Sequence, residues 1–130
     1  VSAFVDPNDA QIEASAKAGC DAVEIHTGAY ANTWLANKSQ PRIKDRPLDD
    51  KIRESLDDIE TALAVGLGVG LDVHGGHGLT YNNILSVASM EGFGEFNIGH
   101  SIISRAVFTG LRESVAEMKR LIVQCQAGNL

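Results

Sequence analysis

Four times along the chain a short segment with strand periodicity is followed by a longer one with helical periodicity, and this repeat restricts the folds open to it. Val1 to Asp6 alternates Val1, Ala3 and Val5 against Ser2, Phe4 and Asp6, and Asp6-Pro7 ends it. From Asp9, alanines around Ile12 predict a helix of about ten residues with Gly19 as its stop. "DAVEIH", Asp21 to His26, is a second strand with Val23 and Ile25 on one face and Glu24 and His26 on the other. Ala31 to Pro47 is polar and irregular and predicts an elaborated loop, in which Trp34-Leu35 could anchor a short helix. Apolar positions at 52, 56, 59, 63 and 67 mark an amphipathic helix over 48–67. "GVGLDVHG" predicts the third strand, Asn82 to Met90 a short helix and "EFNIGH" the fourth strand. Ile103, Val107, Leu111, Val115, Met118, Ile122 and Cys125 form one helical stripe of about two dozen residues.

A βαβαβαβα order implies a parallel sheet with right-handed crossovers. In a doubly wound open sheet both strand faces are covered and should be apolar. Here the later strands keep one apolar face and one small or polar face, which favours a (β/α)₈ barrel, whose inward residues at the C-terminal strand ends carry chemistry. Four units in 130 residues are half of the roughly 250 typical of such barrels, so the expectation is a half-barrel containing strands five to eight. The chain opens directly on a strand without Met, which points to a fragment whose upstream half is missing. Residues 1–130 are then the C-terminal half of a single TIM-barrel domain, with unpaired strand edges that invite association.

Seventeen acidic against eleven basic residues, a net charge of −6, argue against nucleic acid or an anionic membrane as partner. Any anionic ligand must be held locally. Cys20 and Cys125 have no CxxC spacing, no apolar run approaches the roughly 20 residues of a membrane span, and no signal segment opens the chain. A cytoplasmic protein is expected.

"VHGGHGLTYNN", Val73 to Asn83, concentrates two histidines and three glycines, and "IGHS" at 98–101 closes the fourth strand. In a barrel these are the loops after strands seven and eight, where phosphate commonly sits on backbone N–H groups and a helix N-terminus. Gly78 and Gly99 suit that approach, and serve turn geometry equally well. His77, just past a strand end, suits a general acid or base, or a loop side chain with a satisfied hydrogen bond. Glu24 is an acid on an inward face, either paired structurally with His26 or placed to stabilise developing positive charge. His26, His74, His77 and His100 also allow a metal rim, and with it a metal-dependent barrel hydrolase, although H-x-x-H on a loop is a weak signature.

At "VEIHTGAYAN" (23–32), "GHGLTYNN" (76–83), "NIGHSIISRAVFTGL" (97–111) and "AEMKRLI", the chain resembles the pyridoxine 5′-phosphate synthase family, in order from Val1 to about Ile122. The resemblance implies a (β/α)₈ enzyme that condenses 3-amino-2-oxopropyl phosphate with 1-deoxy-D-xylulose 5-phosphate, giving pyridoxine 5′-phosphate, phosphate and water. No metal or organic cofactor is implied, and a homo-oligomer, octameric in the full-length family, is. By resemblance His77 is the proton donor, Gly78, Gly99 and His100 bind phosphate, and Glu24 stabilises the transition state. Where the family usually reads "VNAGHG" this chain has "VHGGHG", so His74 replaces an inward asparagine and Gly75 an alanine. The family's other acid–base histidine and glutamate and a substrate-binding arginine belong to the first half of the barrel. The isolated chain is therefore expected to be inactive, and the rival expectation is a non-catalytic half-barrel that self-associates through its open edges.

Overall fold

The computed structural model describes residues 1–38 and 49–128. Four parallel strands, β1 (Ser2–Val5), β2 (Ala22–His26), β3 (Asp72–Gly76) and β4 (Glu95–Asn97), lie side by side in chain order. Among the described residues six helices accompany them: α1 (Asp9–Lys17), α2 (Gly28–Lys38), α3 (Asp50–Gly68), α4 (Ile84–Ala88), α5 (His100–Thr109) and α6 (Leu111–Gln126). Sequential order with parallel pairing separates the two architectures left open by periodicity. A doubly wound sheet reverses its strand order at a switch point, whereas a barrel adds each strand to the same edge. The sheet is four strands of a TIM barrel, a half-barrel as expected.

Local chemistry fixes the helices that face the sheet. Asn8 caps α1 by accepting from the Gln11 N–H at 3.1 Å, and Gly19 turns the chain at φ +82°. Asp49 caps α3 by accepting from the Lys51 N–H, and Ile52, Ile59, Ala62, Leu63 and Gly66 bury one stripe of it. Ile12 of α1 and Ile59 and Leu63 of α3 join Val23, Ile25 and Val73 of the sheet in one core. A Cβ at Gly66 would stand 2.7 Å from Val73 Cγ2, so a glycine is what lets α3 lie this close to β3. The opposite sheet face carries Phe4, Glu24, His74 and Glu95 as one cross-strand row, with His26, Gly76 and Asn97 in the next row toward the C-terminal ends.

Four expectations need correction. Residues 31–38, expected as the start of a loop, continue α2, which buries Tyr30 and Ala31, while 39–47 lie outside the described residues. β3 begins at Asp72, because Val69 closes α3 and Gly70 turns at φ +81°. β4 ends at Asn97, and His100 opens α5 instead. The long terminal stripe is two helices, since Gly110 at φ +82° breaks it and lets α6 fold back on α5.

Candidate active site at the C-terminal strand ends

Glu24 sits mid-strand on β2 and is half-buried. Its Oε2 accepts from Asn97 Nδ2 at 3.0 Å, and its Oε1 occupies the space where a Gly76 side chain would be, 2.0 Å from that absent Cβ. The expected structural partner, His26, is not its partner. Asn97 takes that place from β4, two strands away, and was not anticipated because its position depends on the β3–β4 register.

His77 follows β3 in the left-handed region at φ +75°, the one non-glycine residue there among the described residues. The buried hydroxyl of Thr27 lies 2.7 Å from both Gly76 O and His77 O and shares its one proton between them, and the Thr27 N–H donates to Gly76 O at 2.8 Å. These bonds hold the turn open, so the His77 side chain stands exposed over the strand ends. His26 lies against it with ring centroids 4.6 Å apart.

The rest of the loop is pinned from below. Asn83, buried, accepts from the Thr80 N–H at 2.6 Å and donates to Gly78 O at 3.2 Å, while its own carbonyl accepts from the Tyr30 hydroxyl at 2.7 Å. Ser101 Oγ donates to Leu79 O at 2.8 Å, which ties the loop to the first turn of α5. Burial pushes the Tyr30 hydroxyl above its ordinary pKa. A phenol whose folded value is raised stabilises the fold fully below its unfolded value of about 10, and that contribution is lost as pH rises through the folded value. Tyr30→Phe is expected to cost about 1 kcal/mol at neutral pH through the loss of this buried hydrogen bond. In urea titrations the penalty should shrink at alkaline pH, and a penalty that grows there would contradict this account.

The two predicted phosphate glycines differ physically. Gly78 adopts φ +76°, and a Cβ on it would stand 2.5 Å from Ala31 Cβ, so the fold itself demands glycine there. Gly99 has φ −111° and nothing within 4 Å of its absent Cβ, so neither packing nor backbone conformation accounts for it. What a glycine at 99 leaves is open access to the N-terminus of α5, the end whose free N–H groups and dipole favour an anion.

Glu24, His77, Gly78, Asn97, Gly99 and His100 together line one cleft of about 760 Å³. All five residues expected to carry the site therefore converge, and Asn97 joins them. Phe4 of β1 lines the same cleft, 57 % exposed. The alternative of a rim of four histidines finds no support in the side chains: His74 Nδ1 turns to Glu95 Oε1 at 3.8 Å, and His26 Nδ1 to Asp6 Oδ1 at 3.5 Å. Among the described residues no three His, Cys, Asp or Glu side chains gather as a metal-ligand set.

Comparison with known proteins places this geometry in context. The family model described as "Pyridoxal phosphate biosynthesis protein PdxJ" matches residues 1–124. A pyridoxine 5′-phosphate synthase of Geobacter sulfurreducens is 45 % identical over 122 residues, covering 94 % of this chain and 46 % of that protein. The protein of the same name from Syntrophotalea carbinolica is 48 % identical over 122 residues, with the same coverage of 94 % and 46 %. The chain thus spans about half the length of the curated relatives it matches.

Proposed function

The chain belongs to the PdxJ family of pyridoxal phosphate biosynthesis proteins, a TIM-barrel enzyme family, and from that premise we propose that it supplies the C-terminal half of a pyridoxine 5′-phosphate synthase site. The substrates on this reading are 3-amino-2-oxopropyl phosphate and 1-deoxy-D-xylulose 5-phosphate. The observation that carries it is the shared cleft, in which one acid, two histidines and an open helix N-terminus face the same volume.

Imine formation, dehydration and ring closure need protons delivered and cationic intermediates steadied. His77, exposed over the strand ends, is the proton donor. Glu24, with one oxygen on the Asn97 amide, presents a fixed negative charge to the developing cation. Gly78, Gly99 and His100 receive a phosphate at the start of α5. The cytoplasm as compartment is supported by the two free cysteines, which a reducing environment keeps as thiols. A homo-oligomer is supported by the apolar surface of α5, where Val107 is 78 % and Phe108 88 % exposed. The outer edges of β1 and β4, unpaired among the described residues, favour the rival reading, a half-barrel without catalysis that self-associates through its open sheet edges.

The test is complementation. The purified chain alone is expected to form no pyridoxine 5′-phosphate from the two substrates, and to form it when combined with the N-terminal half of the Syntrophotalea carbinolica relative. His77→Gln in the combined halves should lower kcat by about 10²- to 10⁴-fold. A stable complex of the halves without synthase activity would refute the reading, and self-association of the chain that persists at nanomolar concentration and excludes the other half would favour the rival.

A further inference from the structure

We infer that Asp6 and His26 form a positioning pair for His77, with the His26 ring as the surface that sets the direction of the His77 imidazole. The inference rests on the reading of His77 as proton donor. An exposed imidazole on a turn has free rotation about two bonds, and a proton donor is effective only when it is held toward the reacting atom. Nothing within the turn itself restrains the side chain, because the Thr27 bonds end on backbone oxygens.

The restraint comes from His26. Its ring meets His77 at 4.6 Å between centroids with 38° between planes, a tilted contact of aromatic type. The Phe4 ring also meets it, at 5.1 Å and 80°, edge to face. Gly28 keeps the space between helix and rings clear: a Cβ there would stand 2.5 Å from His26 Cε1 and 3.1 Å from His77 Cδ2. Asp6 Oδ1 lies 3.5 Å from His26 Nδ1 and favours the ring orientation that directs this nitrogen toward it. Asp6 is 69 % exposed, so the pair adds little to stability, and its effect is on orientation. His26 thus contacts two rings and, at one nitrogen, Asp6, and none of these contacts is to Glu24, the partner its spacing suggested.

The test uses the combined halves, with only this chain's four histidines carrying ¹³C and ¹⁵N labels. His26→Ala is expected to shift the His77 ring signals and lower kcat about 10²-fold with KM nearly unchanged. His26→Phe keeps a ring in place but loses the Asp6 contact, and should restore both only in part. In a His77→Gln background, His26→Ala should have no further effect on kcat, since it acts through His77. His77 signals that stay unmoved in a folded His26→Ala complex would overturn the inference, as would an equal loss of activity in the His77→Gln background. Combined halves that lack synthase activity but keep the His26-dependent shift would uphold the positioning contact and remove only the synthase reading.

Discussion

Gly76→Ala is expected to abolish most synthase activity of the combined halves, by about 10²-fold or more, while leaving the chain as stable as before. The added methyl would stand 2.0 Å from Glu24 Oε1 and 2.9 Å from its Cδ, distances no real Cβ tolerates. The carboxylate is the far end of a flexible side chain, whereas β3 is held on both edges, so the carboxylate must move. In moving it leaves the 3.0 Å bond from Asn97 Nδ2, and a displacement on the order of an ångström is enough to misdirect a transition-state charge. Gly76 has no positive φ, and alanine in a strand is favoured over glycine by roughly 0.5–1 kcal/mol, so stability has no reason to fall with activity. Urea midpoints and kcat measured on the same preparation check both halves of this statement. A variant that keeps full activity would mean that Glu24 works from another position or does not work at all. Parallel loss of stability and activity would instead mean that the 3.1 Å contact to the Asn97 backbone oxygen had split β3 from β4.

Gly76 also shows where sequence reasoning stops. Its neighbours in the quoted loop attracted attention because glycine beside histidine suggests an anion cradle, yet the role of Gly76 is set by an acid 52 residues earlier on another strand. That relation exists only through the pairing of Glu24 with His74 and of His26 with Gly76. Asn97 was invisible for the same reason. Polar residues on the inward face of β2 were legible because alternation along one strand is a local signal, and β4 is too short to show it.

The fold was legible where periodicity and caps agreed. α1 and α3 carry both a capping side chain and a buried stripe, and both lie within a residue or two of their expected positions. α2 has neither an acidic first turn nor a marked apolar stripe, and its polar residues concealed a helix that buries Tyr30 under the loop 77–83. At Gly110 the apolar spacing ran on without interruption, so only the backbone angle of a single residue separated one long helix from a hairpin of two. The choice of barrel over open sheet was legible from the faces of the strands, and strand order in the sheet agrees with it.

Ile25→Ala should be the most destabilising single truncation in the sheet, by about 2–5 kcal/mol, and Val107→Ala should change stability by no more than about 0.5 kcal/mol. Both are aliphatic positions in regular elements, and sequence periodicity ranks them alike. Ile25 is fully buried at the centre of the sheet, between β1 and β3 and beneath the helices, whereas Val107 is 78 % exposed on α5. A truncated Ile25 leaves a cavity that close-packed neighbours fill only in part, and the loss adds to the transfer term. Domains of this kind have about 5–15 kcal/mol to lose, so the variant should unfold at markedly lower urea, with the slope unchanged if only stability is altered. Equal losses at 25 and 107 would mean that the helical layer does not cover this face of β2. The assignment of Glu24 to the cleft would fall with it, because Glu24 stands on the opposite face of the same strand and one result orients both.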